Sequence, residues 1–224
     1  LAATTLYNNT ITSVTGNSTA GTVDFAGIRI NARLAANKGN IVGSASVVNS
    51  INLSGVDVLS NGVLVNGFAE NVSVSDDLIA NINATGTNSS SVNGVQFNGA
   101  GNVTISGNSI SGLNAASVKG VYIKPSSGNT AATITGNTIK GVNTNFGTGV
   151  EAAIPAASIT NLVATDNIVS AWQTGFLVNA AAGSSLTQTV QSNTVTGNQS
   201  GYINQAAAPQ NATCNWWGSA SGPS

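Results

Sequence analysis

The chain has 224 residues and a formal net charge of −1, and only 6% of its residues are charged, against roughly 25% in an average globular domain. Near-neutrality argues against nucleic acid or an anionic membrane surface as a partner, and no apolar run approaches the roughly 18 residues of a spanning helix, so no membrane insertion is expected. Histidine is absent, which removes the commonest general base and metal ligand together.

The polar character comes from Asn, Ser, Thr and 26 Gly, residues of turns and exposed strand surfaces. No shift of composition divides the chain, so residues 1–224 read as one domain. Its opening, LAATTLYNNT, has no basic leader region, which fits a removed signal peptide or a segment of a longer polypeptide. The single Cys214 excludes an internal disulfide; it reads as a buried thiol or as half of a bridge to another chain.

Two phrases recur in chain order. One is a Gly that opens a short alternating strand: GIRI at 27, GVLV at 62, GVQF at 94, GVYI at 120, GVEA at 149, GFLV at 175 and GYIN at 201. From Gly27 to Gly201 the six intervals average about 29 residues. Apolar residues stand one and three places after each Gly, except Asn204 in the last copy, so these strands have one buried face. The other phrase is an Asn two residues before an apolar side chain, as in Asn108 before Ile110 and Asn137 before Ile139. Asn9, Asn49, Asn108, Asn137, Asn167, Asn193 and Asn215 share this position, and Asp77 fills the vacant place. Between the two phrases lies another alternating stretch, such as Val103 and Ile105.

Each repeat thus holds three short strands and no convincing helix. A unit of this length cannot bury its own apolar face and must stack on its neighbours. The expected fold is all-β: a right-handed parallel β-helix of about seven to eight rungs with aliphatic columns along one core. The Asn phrase marks a sharp corner, where Asn tolerates the left-handed backbone region and its amide can bond to the Asn of adjacent rungs. The first turn, Asn9 to Asn49, is long, and NARLAANKGN (31–40) reads as a surface excursion. Pro125, Pro155 and Pro209 fall in the loop leaving the first strand, where they break no ladder.

With these residues in view, the chain resembles the right-handed parallel β-helix, pectate-lyase-like superfamily, whose members carry an Asn ladder at this corner. CNWWGSASGPS (214–224) is similar to a tail of secreted bacterial β-helix repeat proteins. The resemblance implies a fold and a secreted or cell-surface location, but no one activity, because this fold hosts lyases, hydrolases, adhesins and structural proteins.

Outward positions decide function in such a coil. Two places past each Gly stand Arg29, Leu64, Gln96, Tyr122, Glu151, Leu177 and Ile203; two further on stand Asn31, Asn66, Asn98, Lys124, Ala153, Asn179 and Gln205. In the resembled enzymes this face holds polysaccharide. Arg29, Gln96, Asn98, Tyr122, Lys124 and Glu151 are therefore the candidate carbohydrate-binding residues, although Asn often ends strands and a lone surface Tyr is common.

No catalytic constellation is evident, and the chain reads as a non-enzyme without cofactor or metal. Glycoside hydrolysis needs two carboxylates flanking the bond; the only close pair is Asp76-Asp77, and a ladder position for Asp77 would make that pair structural. The Asp-Asp, Gly-His-Gly and Arg-Ile-Lys motifs of the resembled polygalacturonases are missing. Pectate lyases use an Arg base with acids around calcium; here Arg29, Arg33 and Lys38 cluster near Asp24, but acids do not group as calcium requires. Second-strand hydroxyls such as Ser73, Thr104 and Thr133 could form an ice-binding face, though Thr is simply a good exposed strand residue.

At the ends, Trp216 and Trp217 could partly plug the core, and further domains of the same polypeptide or head-to-tail self-association would cover what stays open. The preferred reading is a secreted or cell-surface structural or adhesive β-helix with weak carbohydrate binding. The alternative is a lyase or hydrolase of acidic polysaccharide.

Overall fold

The computed structural model describes residues 4–32, 40–126, 128–207 and 209–219. It is all-β, and every strand pairing is parallel, joining each turn of the coil to the next. The fold is a parallel β-solenoid. Five turns, from Ser46 to Asn193, carry all three strands. The turn before them includes residues 33–39, outside the described residues, and the turn after them pairs on its third and first faces but meets its neighbour on the second only at the isolated bridge of Asn211. Complete rungs are therefore somewhat fewer than the expected seven to eight. The strand-opening phrases form the first face, the following alternating strands the second, and the short strands after the Asn corner the third.

Register is set by the apolar pattern, since a slip of one residue would turn every buried side chain outward. On the third face Ile79, Ile110, Ile139 and Val169 are partners in successive turns, all 0% exposed. On the first face Val63, Val95, Val121, Val150 and Phe176 stack likewise, and on the second Val103, Ala132 and Leu162. These columns meet in one continuous core. The second-face column then reaches Gln188, 4% exposed, whose amide donates to the Tyr202 hydroxyl at 2.7 Å. Its NH₂ group is thus paired, while its Oε1 is buried without a partner, which carries a desolvation cost.

The strand-opening Gly has a steric cause. A Cβ on Gly27 would lie 2.7 Å from Val48 Cγ1, and those on Gly62, Gly94 and Gly120 would strike Ile79, Ile110 and Ile139. The two recurring phrases therefore touch across the core, each Gly making room for the branched residue of the next turn.

An internal ladder runs along the corner. Asn108, Asn137, Asn167 and Asn193 are nearly fully buried. Each backbone N–H donates to the Oδ1 of the next ladder residue at 2.9–3.0 Å, and each Nδ2 donates to that same oxygen at 2.9 Å. Asn215 receives the last of these bonds. The spacing shortens from 31 residues at Asp77–Asn108 to 22 at Asn193–Asn215.

Two expectations about this corner need correction. Asn49 is not in the ladder. Ser46 is: its N–H donates to Asp77 Oδ1 at 2.8 Å, and its hydroxyl accepts from Asn9 N–H at 3.3 Å. The phrase NSI at 49–51 imitates the NSI at 108–110, but Val48 pairs with Ile79 and so holds the true apolar position. Asn49 instead accepts from the exposed Asn81 amide at 3.0 Å, and the first turn is shorter than expected, 37 residues. Nor does the ladder residue itself take the left-handed conformation. The residue before it does: Asn8, Ala45, Asp76, Gly107, Gly136, Asp166, Ser192 and Cys214 all have φ between 52° and 66°. Five residues later a second left-handed position closes most corners, as at Ser13, Ser50, Asn81, Gly112 and Ala171.

Cys214 is exposed at such a corner, not buried. Trp217 packs against the core end while Trp216 stays 53% exposed, so one of the two does what was expected of the pair. Residues 220–224 of the tail phrase lie outside the described residues.

Candidate functional site on the first face

The first-face column is in register as read from the sequence: Arg29 beside Leu64, then Gln96, Tyr122, Glu151, Leu177 and Ile203. Gln96, Tyr122 and Glu151 therefore occupy three consecutive turns, roughly 4.8 Å apart. Arg29 is not part of this group. Two turns away, it forms an exposed ion pair with Asp24 at 2.8 Å, and Arg33 and Lys38 lie outside the described residues. The neighbouring column begins with an exposed amide ladder, Asn98 to Asn66 at 3.4 Å and Asn66 to Asn31 at 3.3 Å. Lys124 follows, its backbone N–H bonded to the Phe97 carbonyl at 2.8 Å.

The site has a member that the sequence reading missed. The Lys119 ammonium lies 4.7 Å from the centre of the Tyr122 ring and 3.8 Å from Glu151 Oε2. Simple alternation counted back from buried Val121 turns Lys119 inward. Gly120 defeats that count, because its bare backbone packs inward against Ile139. The strand bends there, and the residues one before and two after the Gly come to share the outer surface. Asn93 and Gln96 repeat the relation one turn earlier, with Asn93 Nδ2 donating to Gln96 Oε1 at 3.1 Å and to Asn61 Oδ1 at 3.0 Å. The signal was present as a polar residue before the Gly in NGV, NGV, KGV and TGV.

The cluster is half-buried. The Lys119 and Glu151 side chains are only 18% and 16% exposed. Burial pushes the Glu151 carboxyl up from its ordinary range, and the charge and hydrogen bonding of Lys119 pull it partly back. Burial also raises the Tyr122 hydroxyl, with a further push from the Glu151 charge. A cation over an aromatic ring, braced by a carboxylate, is worth more in such surroundings than at an exposed site. Beside it lies a cleft of about 230 Å³ lined by Lys124, Ala153, Ile154, Pro155, Asn179 and Ala181. The surface thus offers amide, phenol, carboxyl and ammonium groups on successive rungs, with a shallow apolar recess at one side.

Asp76 and Asp77 take different places. Asp77 is 2% exposed and stands in the ladder, as expected for a structural residue, while Asp76 forms the left-handed corner before it. No group of three or more potential metal-ligating side chains occurs among the described residues. On the second face Ser73, Thr104, Thr133, Val163 and Thr189 are in register, and Val163 interrupts the hydroxyl column. The Thr135 and Thr165 hydroxyls, in the column beside it, are 3.2 Å apart.

No protein-family model, no curated protein and no solved structure matches the chain.

Proposed function

We propose that the chain is a structural or adhesive segment of a secreted or cell-surface protein, of the pectate-lyase-like type, that binds carbohydrate weakly through its first face. The observation that carries this reading is the outer row Gln96, Tyr122 and Glu151, with Lys119 stacked on the tyrosine ring. Sugars present hydroxyls at spacings that amides and carboxylates can bridge, and they lay apolar ring edges on aromatic surfaces. Lys119 covers part of the Tyr122 ring, which leaves a restricted platform and fits weak, multi-rung recognition along a chain-like ligand.

The structural role rests on turn-to-turn register. Each turn contacts mainly its neighbours, so stability accumulates along the coil as in other repeat architectures. Ladder, glycine packing and aliphatic columns all favour a stiff spacer.

A glycan-binding screen repeated with Tyr122→Ala tests the recognition role. Binding that falls at least tenfold in the variant supports this face; undiminished binding removes it. Incubation with polyuronates, followed by calcium-dependent formation of unsaturated product, tests the competing reading as an acidic-polysaccharide lyase. Robust turnover would replace the non-catalytic reading.

A further inference from the structure

In four ladder positions the side-chain amide does two jobs. The Asn108 Nδ2, for example, donates to Asn137 Oδ1 at 2.9 Å and to the Val74 carbonyl at 3.0 Å. Asn137, Asn167 and Asn193 repeat the pattern with the carbonyls of Ile105, Ile134 and Ala164. Asp77 holds the same position one turn before Asn108. Its N–H donates to Asn108 Oδ1 at 2.9 Å, and its Oδ1 accepts the Ser46 N–H at 2.8 Å. Its Oδ2, buried and without a hydrogen-bond partner, stands where the four following rungs have an NH₂ group. By register the groups that face it there are Asn108 Oδ1, which already accepts the Asp77 N–H, and the carbonyl of Gly43, the partner of Val74. Both are acceptors, so an ionised Oδ2 meets only repulsion, whereas a protonated one can donate as an amide does.

We propose that Asp77 is a proton-operated rung: with a proton on Oδ2 its carboxyl closes the ladder as Asn would, and without it the ladder is cut at the turn that begins at Ser46.

Asp76 is the one charged neighbour on the packed segments, since residues 45–48 and 106–110 contain no titratable side chain. Burial, opposed by the Ser46 N–H and reinforced by the Asp76 charge, pushes the Asp77 carboxyl up to about 6. A carboxyl raised on folding binds more protons in the native state than in the unfolded one. Its stabilising contribution is therefore complete below about pH 4 and is lost as pH rises through about 6. Because a solenoid opens turn by turn, the loss concentrates in the turns stacked on Asp77.

Hydrogen exchange of the full chain, corrected for intrinsic rate, tests this in residues 47–75, three turns from the titrating Glu151. The wild type should open more readily at pH 8 than at pH 4.5, by a factor of about thirty for a carboxyl raised from 3.8 to about 6. Asp77→Asn should abolish that difference and protect residues 47–75 at pH 8. An unchanged pH difference in Asp77→Asn, or its disappearance in Asp76→Asn alone, would overturn the proposal. If Asp77→Asn does not fold, carbon NMR titration of the wild-type Asp77 carboxyl decides: a midpoint near 6 supports the rung, and one at or below 4 refutes it.

Discussion

Gly120 and Ile139 touch across the core, the bare backbone of one turn against the branched side chain of the next. A Cβ at Gly120 would also press on the Gly149 carbonyl and approach the Trp172 ring. Gly120→Ala should cost about 1–3 kcal/mol through overpacking. Trimming Ile139 to Ala removes the Cγ2 that the new Cβ would strike, so the double variant should lose less than the two single variants together. Urea denaturation of all four proteins measures the coupling. Strict additivity would mean that the two phrases do not constrain each other.

The corner separates two effects that the repeated phrase GN conceals. Gly136 has φ of 65°, and a Cβ there would meet only Gly107 N at 3.9 Å. Gly136→Ala should therefore cost only the left-handed backbone penalty, about 1–2 kcal/mol. Asn137→Ala removes the acceptor of two Asn108 bonds and the donor to Ile105 and Asn167, all in buried surroundings. Orphaned buried groups make this the larger loss, at least about 3 kcal/mol. Melting of the two variants orders them, and a milder effect for Asn137→Ala would contradict the ladder as the main support of the corner.

Much of this architecture can be read from the residues. Spacing and alternation locate the three faces, because a period of two with one apolar side has few other solutions. Ile110 does lie beside Ile139 in register, and Tyr122 beside Glu151. Three things were hidden, each for a physical reason. Ser46 replaces Asn in the ladder because the backbone bonds there need an acceptor oxygen, which a hydroxyl supplies, while a decoy NSI stands three residues on. The left-handed residue was assigned one place late, since Gly and Asn adjoin in the clearest copies. Lys119 escaped because the bend at Gly120 breaks the alternation used to sort inside from outside. The candidate face was thus legible as a column but not as a cluster.

Glu151 and Lys119 should reveal themselves by titration. Burial raises the Glu151 carboxyl and Lys119 draws it down. Lys119→Met should therefore move the Glu151 midpoint to higher pH, as followed by carbon NMR. The stability linked to this carboxyl is present below its unfolded value and declines as pH rises through the folded one. Glu151→Gln should accordingly weaken the fall in stability of the 120–178 turns above about pH 4.5. A Glu151 midpoint that stays put or drops in Lys119→Met would remove Lys119 from the site.

Trp172 offers the sharpest test of packing between turns. Ile51, Ile82 and Leu113 fill the inward place after the second corner, all at most 1% exposed. One turn further Val142 fails to fill it and is 48% exposed. Trp172, 2% exposed, reaches back into that gap. A Cβ on Gly147 or Gly149 would lie 3.1 Å from its ring, and its Nε1 donates to the Ile139 carbonyl at 3.2 Å. The indole thus packs on both glycines, although Val169 and the Gly175 carbonyl would press harder on a Cβ at Gly149, and Gly147 has φ of 82°. Trp172→Ala should open a cavity beneath residues 141–149 and cost about 3–5 kcal/mol. Trp172→Phe keeps most of the packing but leaves the Ile139 carbonyl without its donor, for a loss of about 1–3 kcal/mol. Urea denaturation of both variants measures these losses, and hydrogen exchange across residues 141–149 locates them. Should Trp172→Ala fall within 1 kcal/mol of the wild type, the indole is not what closes the core at this turn.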